Sequence, residues 1–324
     1  MLLTDSPAEA AAVLRRGGLV AFPTETVYGL GAAARDAGAV ARVFRAKGRP
    51  ADNPLIVHVA DAAAVAGVAV VTPLGAALLG AFAPGPISLV LPALDADAPD
   101  ASGRGGAGRG GLPPAVTAGL DTVAVRVPGH RPARAFLEAA GVPVVAPSAN
   151  RSGRPSPTTW QAVVGDLGDR LDAVLRGPPA EIGLESTVVD ATGTAPVVLR
   201  PGAVSLEALR ERFPDAALAE PGGPARSPGL RHRHYAPRAA VRILPPAGAP
   251  GRGGADAAYI GIAAPPPGYA LVEACPDVEA YARRLFDLFR RADAAGLARV
   301  DAEAVPETGL GRALMDRLRR AAAR

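Results

Sequence analysis

Lysine is nearly absent from this 324-residue chain: Lys47 is the only one, and the other 34 basic side chains are arginine. Cysteine is equally scarce. Cys275 stands alone, which excludes an internal disulfide and a cysteine-based zinc site. The four histidines, His58, His130, His232 and His234, include no HExxH pair. One Trp, five Tyr and seven Phe are too few for a stacking platform on single-stranded nucleic acid. No apolar run reaches 18 residues, so no membrane span is expected. The opening MLLTDSPAEAAAVLRRGG reads as a short helix carrying acids, not as a signal peptide. The expectation is a cytoplasmic protein in a reducing compartment. There is no GxxxxGK[ST] phosphate loop and no GxSxG nucleophile elbow.

What is present is Ala, Gly, Pro and Arg in quantity. Apolar content of 49% suffices for ordinary cores, and 72 Gly plus Pro stay below the level of wholesale disorder. A net charge of +4 is mild for this length; it fits an anionic small molecule or occasional RNA contact, not a dedicated nucleic-acid binder. The length suggests two domains.

Val-rich segments predict strands at 19–23, 54–59, 87–93, 122–128, 143–148, 186–192 and 196–201. Helices are predicted at 7–16, 38–47, 61–67, 73–82, 131–140 and 158–164. Strands apolar on both faces call for a sheet covered on both sides, an α/β class with some antiparallel order. SGRGGAGRGG (102–111) reads as a surface loop and 214–238 as a linker. Beyond them, two strands (AVRIL, AAYIGI) and helices at 277–294 and 309–322 form a smaller α/β unit.

GLGAAA (29–34) matches GxGxxA, but TETVY separates it from the preceding strand, so ordinary turn glycines are the better reading. PTETVYGL (23–30) sets two hydroxyls and a carboxylate after a strand; a cap or turn and a polar ligand rim fit it equally. AKGRPADNPLIVHV gathers Lys47, Arg49, Asn53 and His58, where basic residues at a helix end also complement its dipole. APSANRSGRPSPTTW (146–160) supplies Ser148, Asn150 and Ser156 before a helix, suited to a phosphate or to simple capping. SPGLRHRHYAP (227–237) packs Arg, His and Tyr into an otherwise loose linker, which favours a docked or binding role.

Together and in order, PTETVYGLG, the KxRP segment into NPLIVHV, VAVRVPGH, APSANRSGRPSPTT, GLESTVVD, VLRPG and SPGLRHRHYAP resemble the threonylcarbamoyl-AMP synthases of the YrdC type, in their longer two-domain form. The quoted pieces fall within residues 18–238. The resemblance implies a twisted mixed sheet flanked by helices around an open concave cleft (1–205), a linker that serves as a lid (206–238) and a small Rossmann-like C-terminal domain (239–324). It implies a nucleotidyltransferase that joins L-threonine, bicarbonate or CO2 and ATP into threonylcarbamoyl-AMP and pyrophosphate, the first step of a tRNA modification. A tRNA threonylcarbamoyl transferase complex would take the product.

Carried onto matching positions, Lys47, Arg49, Asn53, Thr122, Ser148, Asn150, Ser156, Arg200 and Tyr235 would face ATP, with Lys47 and Arg49 at the reacting phosphates. Thr26, His58, Arg126 and Ser186 would hold threonine. Mg²⁺ would ride on the ATP phosphates, with no protein ligand assigned. A compact ammonium at Lys47 would fit phosphate oxygens where a planar guanidinium would not. The rival reading is a non-catalytic module that binds duplex RNA or tRNA; the modest charge and scarce aromatics argue against it. A third, the carbamoyl-transfer relative embedded in a larger cysteine-rich protein, fits poorly with one cysteine.

Overall fold

In the computed structural model, residues 1–50, 52–94, 111–220, 235–246 and 253–323 are described. The Gly-rich stretch up to residue 110, and the Arg/His part of the linker with His232 and His234, lie outside them.

Eleven strands form one twisted mixed sheet. They are β1 (Leu2–Thr4), β2 (Val20–Phe22), β3 (Gly29–Ala33), β4 (Ile56–His58), β5 (Ile87–Pro92), β6 (Thr122–Arg126), β7 (Val144–Val145), β8 (Ala173–Leu175), β9 (Thr187–Asp190), β10 (Val197–Arg200) and β11 (Ala217–Leu218). Their spatial order is β1-β8-β2-β3-β7-β4-β6-β5-β9-β10-β11. A second sheet, all parallel, orders β12 (Ala240–Leu244), β15 (Arg299–Glu303), β13 (Ala257–Gly261) and β14 (Leu271–Ala274). Among the described residues no helix is long and apolar enough to cross a membrane.

The main core lies under the helices Ala37–Lys47, Pro73–Phe82 and Trp160–Leu167. Pro7–Arg15 and Arg131–Ala140 pack together over a second cluster around Phe22 and Phe136. Local chemistry sets the helix ends: Ser6, Asp36, Thr72, Thr159 and Asp277 cap with their side-chain oxygens, and Gly48 closes Ala37–Lys47 in the left-handed region.

Parallel strands β4 and β6 end side by side, Ile56 opposite Ala124 and His58 opposite Arg126. Strand alternation puts Thr122, Ala124 and Arg126 on one face. There Ala124 joins Ile56, Val90, Val188 and Leu199 in a small apolar floor. Where β10 meets β9 the register shifts at Leu199, so Arg200 stands opposite Val188 on that same face.

Several expectations need correction. GLGAA is not a turn but strand β3, because a side chain at Gly31 would meet the Val20 carbonyl oxygen at 3.0 Å and the Phe22 ring at 3.2 Å. The bare backbone lets that ring lie across the strand. The helix expected at 61–67 is a 3₁₀ turn, Ala63–Gly67. Strand β8 and the pair β14 and β15 went unread. In β15 the acids obscure the pattern, yet Asp301 and Glu303 are both buried. Asp301 is gripped by Arg242 at 2.7 and 2.8 Å, and Glu303 takes the backbone N–H groups of Ile262 and Ala263. Residues 206–218, at the start of the expected connection, carry helix Leu206–Arg212 and β11. Leu206 and Leu209 belong to the main core.

Candidate active site

A cleft opens where β4 and β6 end. Open α/β sheets bind ligands at such carboxyl ends. Its lining includes Arg49, His58, Arg126, Ser148, Ser186, Arg200 and Tyr235, drawn from across the chain.

The PTET turn prepares one wall. The Thr24 hydroxyl donates to the Val27 carbonyl at 2.6 Å and accepts from the N–H groups of Thr26 and Val27, a side-chain staple. The staple aims Glu25 and Thr26 at Arg126. One guanidinium nitrogen of Arg126 donates to Thr26 Oγ1 at 2.9 Å, and another lies 2.9 Å from Glu25 Oε1, which also accepts from the Gly129 N–H. Burial alone would raise the Glu25 pKa, but the Arg126 charge and the Gly129 N–H outweigh it and hold the carboxyl below its usual range. Cap or ligand rim was the open question for this motif. Thr24 makes the turn, and its two successors hold Arg126 from behind the lining without belonging to it.

His58 is buried, and burial together with the Arg126 charge lowers its pKa to about 3. Its Nδ1 lies 3.3 Å from the Ile56 carbonyl oxygen, which can only accept. The neutral ring therefore carries its proton on Nδ1 and offers Nε2 as an acceptor. The unfolded chain binds a proton on this ring below pH about 6.5 while the folded one resists until about 3, so stability falls as pH drops through that window. Between pH 7 and 5 the ring alone is expected to remove about 2 kcal/mol. Urea titrations at both pH values should show that loss in the wild type and lack it in His58→Gln; identical slopes would mean that the ring protonates normally in the fold.

The opposite wall is cationic. Arg49 donates to the carbonyls of Asn53 (3.2 Å) and Pro54 (2.8 Å), and Arg200 to Ser186 O (2.9 Å) and Oγ (3.3 Å). Burial, followed by weaker charge effects that include repulsion from Arg200, lowers Arg49 to about 10. Burial likewise lowers Arg200. Cations crowded this way favour an anion between them. Ser186 Oγ also lies 2.8 Å from Ser88 Oγ.

Lys47 does not line the cleft. Its ammonium sits directly behind, donating to the carbonyls of Ser148 (2.5 Å) and Asn150 (2.6 Å). Burial and Arg49 push its pKa well down. Asn150 donates in turn to the carbonyls of Arg151 and Arg154, both at 2.8 Å, so lysine and asparagine together shape the 148–154 loop. Asn53 and Ser156 are buried beside the lining without belonging to it. Thr122 is at the far end of β6, about 13 Å from Arg126 on the same face.

Tyr235 is the first described residue after the linker gap. It is buried at a φ of 67°, and its ring stacks on Phe286 of the C-terminal helix Val278–Ala294, 5.5 Å between centres. The Ala236 N–H donates to the Gly153 carbonyl at 2.9 Å, fixing the chain against the site loop.

The sequence reading counted Glu25 only as the carboxylate of its motif and gave no role to Glu185 or Arg317. Ser156 Oγ donates to Glu185 Oε1 at 2.5 Å, and Arg317 of helix Leu310–Ala322 donates to Glu185 Oε2 at 2.8 Å. A lone acid before a Val-rich strand was a signal for Glu185; Arg317 gave none, because its partner is 132 positions away.

Comparison with known proteins agrees with this geometry. Residues 12–202 match the Sua5/YciO/YrdC family model, described as telomere recombination, and 204–323 match that of the threonylcarbamoyl-AMP synthase C-terminal domain. The chain is 39% identical to the threonylcarbamoyl-AMP synthase of Pyrococcus abyssi, covering 96% of this chain and 92% of that protein. It is 39% identical to the Bacillus subtilis enzyme of the same name, covering 99% and 94%. The crystal structure of P. abyssi Sua5 complexed with L-threonine superposes with a TM-score of 0.86 at 38% identity, covering 99% of this chain and 96% of that one. The chain belongs to the threonylcarbamoyl-AMP synthase family.

Proposed function

We propose that this protein makes threonylcarbamoyl-AMP from L-threonine, bicarbonate or CO2, and ATP. The observation that carries this reading is the convergence of Arg49, Arg126 and Arg200 on one cleft that also holds a neutral imidazole and is walled by Tyr235. Carbamate, carboxylate and triphosphate bring several negative charges together, and fixed cations and N–H donors stabilise that assembly without reorganising. The L-threonine complex of the P. abyssi relative supports the choice of amino acid.

Arg126 clamps the threonine carboxylate. Three of its directions are already committed to Glu25, Thr26 and the Gly85 carbonyl, which fixes the fork before substrate arrives. Thr26, His58 and Ser186 complete the amino-acid side. The threonine nitrogen adds to CO2 and releases a proton; a carbamate oxygen then attacks the α-phosphorus, and the bond to pyrophosphate breaks. Arg49 and Arg200 receive charge on the phosphates. Ser148, Asn150, Asn53, Ser156 and Thr122 border the nucleotide, and Tyr235 lies against it. Two of the three Lys47 N–H groups hold the loop carbonyls, so Lys47 acts from behind the cleft by placing Ser148 and Asn150 beside the phosphates. Any Mg²⁺ that accompanies ATP would be held mainly through the phosphates and water. The product would pass to a tRNA threonylcarbamoyl transferase.

The test is pyrophosphate release from ATP and bicarbonate with L-threonine, L-serine or no amino acid. Release that depends on L-threonine is expected. Equal release in all three, or salt-sensitive RNA binding with no release, would overturn the reading.

A further inference from the structure

The C-terminal unit sends one charged side chain into the first unit. Arg317 is fully buried, and besides Glu185 it donates to the Pro201 carbonyl at 2.9 Å and to Asp316 at 2.7 Å. Its guanidinium carbon lies 5.3 Å from the centre of the Tyr235 ring, within cation–π range. The helix that carries Phe286 comes equally close. A side chain at Gly183 would sit 2.5 Å from the Arg283 Cα, and Arg283 Nε donates to the Glu181 carbonyl at 2.9 Å.

Glu185 has two guanidiniums within electrostatic reach, Arg317 and Arg200. Both carboxylate oxygens are occupied, one by Ser156 and the other by Arg317. Arg200, by contrast, donates to Ser186 from one terminal nitrogen, while its buried Nε has no hydrogen-bond partner. A guanidinium left this way near a carboxylate would swing onto it if that carboxylate lost its counter-ion.

We infer that Arg317 is a positioning residue for the nucleotide half of the cleft: by claiming Glu185 it keeps that carboxylate from neutralising Arg200, and by standing over Tyr235 it fixes the aromatic wall. On this view the C-terminal unit helps to build the active site and does not merely tether the linker. The inference rests on the ATP-dependent reading above.

The experiment measures KM for ATP and for threonine, with ATP titration calorimetry, on wild type, Arg317→Met and the double variant Arg317→Met/Glu185→Gln, each checked for folding by thermal melting. Arg317→Met is expected to raise the KM for ATP roughly 10- to 100-fold, the scale of losing one hydrogen bond to a charged group, with the KM for threonine within about threefold of wild type. Adding Glu185→Gln removes the stranded charge and is expected to bring ATP back to within about fivefold of wild type, which loss of packing alone would not do. A folded Arg317→Met with unchanged KM for ATP, or a double variant no better than the single, overturns the inference. If Arg317→Met does not fold, the double variant decides: ATP affinity near wild type supports the inference, and its loss rejects it. A wild-type protein that neither binds ATP nor releases pyrophosphate would instead sink the functional reading, and the inference with it.

Discussion

Lys47→Arg should lower threonine-dependent pyrophosphate release by about 10²-fold or more, although the charge is unchanged. The ammonium fits between the carbonyls of Ser148 and Asn150 at 2.5 and 2.6 Å, and only 4% of the residue is exposed. A guanidinium is wider, and its donors lie in one plane, so it reaches both carbonyls only by moving the loop. Ser148 lines the cleft, and displacing it shifts the contacts nearest the nucleotide. Lys47→Met should do at least as much damage, because it strands two carbonyls as well as removing the charge. If Lys47→Arg turns over as fast as wild type, the single lysine reflects compositional bias and nothing more.

Arg126→Ala should cost more. The pair with Glu25 is buried on both sides, 5% and 8% exposed, and removing one partner of such a pair costs about 3–5 kcal/mol because the other charge is stranded. Part of that cost appears as lost stability. The catalytic part should be a fall of about 10³-fold in kcat/KM for threonine, with ATP affinity within about threefold, since Arg49 and Arg200 remain. Arg126→Ala/Glu25→Gln should recover stability without recovering threonine turnover. Recovery of both would show that Arg126 serves the fold alone; equal loss of ATP affinity would show that the two substrate halves are not separable.

The strands that make the cleft were legible because their apolar residues are continuous. PLIVHV and TVAVRV needed only periodicity, whereas His58 and Arg126 were singled out as site residues by the family resemblance. The reading failed where a strand lacked side chains or carried charge. Glycines in β3 suggested a turn because their purpose, room for the Phe22 ring, is set by a residue on another strand. The acids of β15 hid the strand because their partners come from neighbouring strands and loops. Lys47 stood out by its rarity, but its two carbonyl partners could not be read, since main-chain direction is a property of the folded loop. Arg317 shows the same limit at longer range: nothing local marks it as the partner of Glu185.

The pairing of Glu185 with Arg317 also constrains exchange of the C-terminal unit. Val27, Leu184 and Tyr235 share an apolar cluster with Phe286 and Leu314, so the join is greasy as well as ionic. A change at one of these positions leaves its partner, more than a hundred residues away or across the join, without its contact. A C-terminal unit grafted from another protein would have to bring its own counter-charge for Glu185.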